Sequence, residues 1–442
     1  MTQVAITQGD ISQTAARSFR SQRALALAAL TIAAWTGVIM RFGLVRGFPA
    51  WAQNYVGVRH AHSHLMYFGW VTLGMMALIW MAMPRLTGRA LPRAVGWQMA
   101  ATAGAALLSF PAFWANGYGL TTVGPAQLPL GSMAAALNVL TWYAFIALYV
   151  RATWSTRERA LPLRLWDGAV ALLALSTVGV IGLALLVARG TGAMALYQLF
   201  LHLFLDLFGV GWFTLALLGV LWTQFDAQTR SPRALPAGAL ALALIPTFLL
   251  GMSPALVGPA LFWVAALANV AAAGMLARHW VALWRGGTAL SALERFALIC
   301  LGVHLAVAMV LLWPGLWRWA GGTQLRVFYL HNFLLGWVSS GLLGVLLRVA
   351  PVPQRALTRA VTLLWIGGVS IMLAALLGLG LASVLPGAAL VLLRLAAWSS
   401  VLPATAASLA WGAVLLPARV VPGHPARDLG AETEMGAGYS AG

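Results

Sequence analysis

Twelve times along this chain the sequence runs apolar for about 20 residues and is then interrupted by proline, glycine or arginine. A helix needs that length to cross the hydrocarbon layer of a bilayer, whereas runs of about 10–14 residues would suit buried helices of a soluble domain. Composition agrees: 61% of the 442 residues are hydrophobic and 8% are charged, against about a quarter charged in a soluble domain. The solvent of such a chain is lipid. The expected fold is all-α and polytopic, with about twelve transmembrane helices over residues 24–43, 60–83, 93–115, 131–153, 167–188, 195–222, 236–252, 256–277, 292–314, 325–348, 358–381 and 388–416. Breaks such as Pro84-Arg85, Gly124-Pro125 and Ser231-Pro232-Arg233 separate them. The weakest break, Gly251-Met252-Ser253-Pro254, carries no charge.

The net charge of +18 comes from arginine alone. The arginines form no patch with interleaved aromatics, which sets nucleic acid aside as a partner, and they lie in the short loops between apolar runs. The N-terminal arm, the C-terminal tail and the loops on their side hold 20 arginines, and the opposite loops hold 6. Both ends are therefore expected to be cytoplasmic at a bacterial-type inner membrane, which requires an even number of crossings. Residues 1–23 read as a polar cytoplasmic arm, 24–416 as the membrane domain and 417–442 as a disordered cytoplasmic tail. Arg41 and Arg46 follow the first apolar run directly, so that run reads as an uncleaved helix. Cys300 is the only cysteine, which excludes an intrachain disulfide and a thiolate metal cluster.

Polar side chains are costly at bilayer depth, so those that persist are candidates for function. Helix two carries His60, His62 and His64 ahead of Gly69-Trp70; helix six carries His202 and Asp206 ahead of Gly211-Trp212; helix ten carries Tyr329 and His331 ahead of Gly336-Trp337. With Gly-Trp as register, His64, Asp206 and His331 all lie five residues before the glycine, and His60 and His202 lie nine before it. His202 follows His64 by 138 residues and precedes His331 by 129. This spacing reads as a four-helix unit used three times with a polar site on its second helix. All three second helices enter from the outer face, so their polar residues share one depth.

Neutral imidazole is a strong ligand for iron and copper, and an axial histidine on each face is a common way to hold heme. His62 and His64 point about 200° apart on a helix and so serve different partners. His202 and Asp206 face the same way; Asp206 can orient His202, bind metal or pass protons. These patterns make His62, His64 and His331 candidate heme ligands, His60, His202 and Asp206 candidate metal ligands, and Asp206 a candidate proton relay. The alternatives are structural: single membrane histidines such as His304 commonly bridge helices by hydrogen bonds, and Gly-Trp can be a packing device. His279, beside Arg278 at a cytoplasmic helix end, is expected to face solvent or headgroups, as is His424 in the tail.

The segments His62-Ser-His64, Gly69-Trp70 and Pro84-Arg85-Leu86 resemble a motif of the catalytic subunit of the heme-copper oxidase superfamily, in the branch of cbb-type oxidases and nitric-oxide reductases. The resemblance implies twelve helices in three pseudo-repeats, with hemes near the outer face. Matched to that motif, His62 would bind the active-site heme and His64 the low-spin heme. Matched by position in the chain, His62 or His64 pairs with His331 on the low-spin heme, and Tyr329 replaces the active-site heme ligand. The sequence departs from the family in lacking an adjacent histidine pair on helix seven and in reading His202-Leu-Phe-Leu-Asp206 on helix six, which bears on the copper centre. The stretch from His62 to Arg89 is also similar to the NnrS family, heme- and copper-containing membrane proteins linked to nitric oxide.

The resulting expectation is a b-type heme protein in respiratory electron transfer or nitric-oxide or oxygen chemistry, receiving electrons from a separate cytochrome or quinol. Competing readings are a cofactor-free transporter or assembly factor and a copper-handling membrane protein. Transporters commonly bind substrate at the midplane on broken helices, and these polar residues sit on unbroken runs near one face.

Overall fold

The computed structural model describes residues 8–190, 192–225, 235–253, 255–286, 290–313, 315–349, 355–382 and 387–415; residues 1–7 of the expected arm and the expected tail 417–442 lie outside the described residues. Each of the apolar runs is helical: α1 (Gln8–Arg46), α2 (Tyr55–Thr87), α3 (Ala94–Asn116), α4 (Leu130–Thr153), α5 (Leu161–Arg189), α6 (Met194–Trp222), α7 (Gly238–Gly251), α8 (Pro259–Arg285), α9 (Ala292–Val310), α10 (Leu325–Val349), α11 (Arg355–Gly380) and α12 (Ala389–Leu415). Ten of these are long and apolar enough to cross a membrane. The other two are α3, which buries Gln98, Thr102 and Ser109, and the short α7, which ends in a 3-10 turn from Pro246 to Gly251. The chain is an all-α, multi-pass membrane protein. Its only strands among the described residues, β1 (Thr121–Val123) and β2 (Ala126–Leu128), form a hairpin between α3 and α4, turned at Gly124 with φ of 59°.

Three helix starts differ from expectation by five residues or more: α1 begins at Gln8, inside the expected arm, α2 at Tyr55 and α5 at Leu161. Asn54 caps α2, its side-chain oxygen accepting from the Gly57 amide at 3.1 Å. The helix therefore begins at Tyr55, and His60, His62 and His64 sit inside it. Pro162, suited to a first turn, lets α5 begin at Leu161. Asp167 consequently lies within α5, where it accepts from the Tyr149 hydroxyl at 2.9 Å and pairs with Arg159. Asp167 is thus a further carboxylate inside a spanning helix besides Asp206, with an arginine to meet its charge.

The helices close into a ring around three central ones. α1 lies along α2, α5 along α6 and α9 along α10. The second helices touch α3, α7 and α11, which pack on α4, α8 and α12, and these reach α5, α9 and α1 in turn. α2, α6 and α10 also meet one another. Their spanning windows are 89%, 72% and 78% buried, against 50% or less for the other spans, so they form the interior.

The Gly-Trp motif explains the close packing. A Cβ at Gly69 would lie 2.8 Å from Ala29 on α1, at Gly211 2.8 Å from Leu172 on α5, and at Gly336 2.7 Å from Cys300 on α9. Each glycine thus lets the preceding helix approach its partner. Trp70, Trp212 and Trp337 are wholly buried, and Trp70 donates to the Ser339 hydroxyl at 2.9 Å, tying α2 to α10.

The backbones of α5 and α6 approach closely at Gly179, where a Cβ would sit 2.4 Å from the Phe200 carbonyl and 2.7 Å from the Phe204 amide. Backbone cannot rotate away as a side chain can. Gly179→Ala is expected to lower stability by about 1–3 kcal/mol, the range for overpacking a fitted interior. Thermal unfolding in detergent checks this; an unchanged midpoint would mean that the two helices part freely.

Candidate functional site

The three central helices share one irregularity. In each, the α-helix passes into a π segment immediately after the fifth residue before the glycine: Leu65–Thr72 follows His64, Leu207–Phe213 follows Asp206, and Asn332–Ser339 follows His331. π segments inside α-helices are frequent at functional sites because they re-aim the side chains around them. The helices are continuous, as their sequences imply, but locally rewound where the polar residues sit.

Around the first and third of these segments, two helices present imidazoles toward one arginine. His62 donates from Nδ1 to the Ala33 carbonyl of α1 at 2.8 Å. Gly37 leaves room for its ring, since a Cβ there would be 3.1 Å from Cε1. His331 donates from Nδ1 to the Val327 carbonyl at 2.8 Å, and its Nε2 accepts from the Arg41 guanidinium at 3.3 Å. A carbonyl can only accept, so both Nδ1 atoms carry the proton and both Nε2 atoms carry the lone pair, the form that binds metal. His62, Arg41 and His331 lie within electrostatic reach of one another.

His64 is turned elsewhere, as the two-residue offset requires. Its Nδ1 donates to the His60 carbonyl at 2.8 Å and its Nε2 accepts from the Tyr118 hydroxyl at 2.8 Å. Its ring stacks on Phe113 with centroids 3.7 Å apart. His60 stands edge-on to Tyr118 at 5.1 Å. These two histidines therefore face α3 and the segment leading into the hairpin, while His62 faces α1 and α10.

On α6, His202 donates from Nδ1 to Asp206 Oδ2 at 3.2 Å, the pairing expected from their spacing. Gly251 at the end of α7 makes this possible, because a Cβ there would fall 2.1 Å from His202 Nδ1. Asp206 lies within electrostatic reach of Arg326, Tyr67 and Tyr329. Among the described residues no three His, Cys, Asp or Glu side chains converge as a metal cluster. His60 packs on Tyr118 and Phe113, whereas the His202–Asp206 pair packs on the end of α7 at Gly251.

Two further histidines are buried. His304 on α9 stacks on Tyr329 with centroids 4.3 Å apart, its Nε2 3.2 Å from the hydroxyl, so it bridges α9 and α10 as expected. His279 does not face solvent. It is fully buried, accepts from the Trp222 indole at 3.2 Å and lies 3.2 Å from the Pro236 carbonyl. The reason is that α8 continues to Arg285, which places residue 279 well inside the helix, against the end of α6.

Sequence reasoning missed Arg41 and Tyr118. Arg41 counted only as an outer-loop charge, but α1 runs on to Arg46 and carries it inside the bundle. No known protein family and no curated protein matches the sequence.

Proposed function

We propose that this chain is a heme-binding protein of a bacterial-type inner membrane, in which the iron of a b-type heme is held by His62 of α2 and His331 of α10. The observation that carries the reading is the matched pair of Nδ1-anchored imidazoles beside Arg41. Donor chemistry fits the group: two neutral imidazoles suit a low-spin iron, and the guanidinium of Arg41 would suit a carboxylate of the macrocycle. When bound, heme would supply one-electron transfer. The chain's own residues bind and orient it: Ala33 and Val327 fix the two rings and Arg41 balances charge.

The wider reading is a twelve-crossing, oxidase-like bundle of three four-helix pseudo-repeats with both ends cytoplasmic. It is supported by the cyclic helix contacts, the three π segments in one register, the three packing glycines and the arginine imbalance. Within it, Asp206, which accepts from His202 Nδ1, is the proton relay, and the protein works in respiratory electron transfer or nitric-oxide or oxygen chemistry with a separate electron donor. Copper as a second metal would have His202 and Asp206 as its donors on α6.

The test is a dithionite-reduced minus oxidised absorption spectrum of protein purified in detergent from heme-sufficient cells, with iron and copper analysis of the same sample. Sharp heme bands with one iron per chain are expected. A colourless, iron-free protein would overturn the reading.

A further inference from the structure

At about 1.5 Å per residue, α7 covers about 20 Å of a hydrocarbon layer about 30 Å thick. Its 3-10 end at Pro246–Gly251 and the loop beyond it leave space against the neighbouring helices. A cavity of about 140 Å³ lies there, between α6, α7, α8, α9 and α10. Most of its wall is apolar, including Leu249, Phe262, Leu301 and Phe333, but Asp206, Asn269, His304 and Tyr329 also line it.

Two of these polar groups have unused capacity. His304 is 6% exposed, and its Nδ1 is buried with no hydrogen-bond partner, while its Nε2 is occupied by Tyr329. Asp206 accepts from His202 at Oδ2, and its Oδ1 takes no bond from the described residues. A buried polar atom left unpaired is costly, so a purely apolar occupant would not suit. Water alone would satisfy the polar groups but would wet an apolar wall, and dry apolar cavities stay empty or take apolar molecules.

We propose that this cavity binds a hydroxylated aromatic ring, the chemistry shared by small phenols and by the head group of a membrane quinol. The size fits, since an apolar cavity of about 150 Å³ accepts one benzene ring. The ring lies against Phe262, Leu301 and Phe333, and its hydroxyl bonds His304 Nδ1 or the Asp206 carboxylate. The inference does not depend on the heme assignment, because none of these residues is an assigned iron ligand.

The test titrates the full-length protein in detergent with resorcinol and with 4-hexylresorcinol, which carry the ring and hydroxyls without readily forming a quinone, and follows binding by calorimetry. One saturable site per chain is expected. Ala308 also lines the cavity; Ala308→Leu, which fills it, and His304→Phe, which removes the polar partner, are each expected to weaken binding at least tenfold. Ala308→Leu adds volume to an open space, so its unliganded unfolding midpoint is expected to match or exceed the wild type. A hexyl chain that tightens binding more than tenfold identifies the source as a lipid-soluble quinol; equal affinities identify a small phenol. Absence of saturable binding by either probe would overturn the proposal, as would wild-type affinity in folded Ala308→Leu protein.

Discussion

His331→Ala is expected to abolish the low-spin heme spectrum of the purified protein, and His62→Ala to do the same, while His64→Ala leaves the bands in place. The contrast follows from where each ring points. Removing His331 deletes one of the two imidazoles that lie within reach of Arg41, its Nδ1 fixed on the Val327 carbonyl at 2.8 Å. Removing His64 deletes a ring that faces α3, where it bonds Tyr118 and stacks on Phe113. Arg41→Ala is expected to weaken iron retention by about 10–100-fold, as loss of an outer partner of a metal site does. Iron content and the reduced spectrum of the four variants check this. Loss of the bands in His64→Ala with retention in His62→Ala would reverse the ligand assignment on α2.

Arg348→Met is expected to destabilise the protein by about 3–5 kcal/mol, the range for breaking a buried ion pair from one side. Glu294 is fully buried in the first turn of α9, where its carboxylate pairs with Arg348 of α10 and accepts from the Ser291 amide at 2.6 Å and hydroxyl at 2.7 Å. Without the arginine, a carboxylate remains in the protein interior with only neutral donors. Adding Glu294→Gln to Arg348→Met removes that charge yet keeps an oxygen for the Ser291 amide, so the double variant is expected to recover most of the loss. Thermal unfolding of both variants decides the matter. A loss below about 1 kcal/mol in Arg348→Met would mean that water reaches Glu294 and that the pair behaves as a surface bridge.

Helix positions were legible because a bilayer imposes one length on every apolar run and places charge at the ends. The common register of His64, Asp206 and His331 was legible for the same reason: Gly69, Gly211 and Gly336 each face a preceding helix, and that packing holds the motif in place. The π segments were not, since eight apolar residues such as Leu65–Thr72 carry no periodicity that separates π from α. Nor could spacing tell which of His62 and His64 faces α10. The two-residue offset guarantees opposite directions, but only the arrangement of α1, α3 and α10 around α2 assigns them. The burial of His279 likewise depends on the end of α6 and on the Pro236 carbonyl, contacts distant in sequence.

The most direct test of the central claim is low-temperature electron paramagnetic resonance of the oxidised protein as purified. Iron held by His62 and His331 predicts a low-spin ferric signal of two imidazole ligands that disappears in both His62→Ala and His331→Ala. A high-spin signal alone, no iron signal at all, or a low-spin signal surviving in His331→Ala would contradict it.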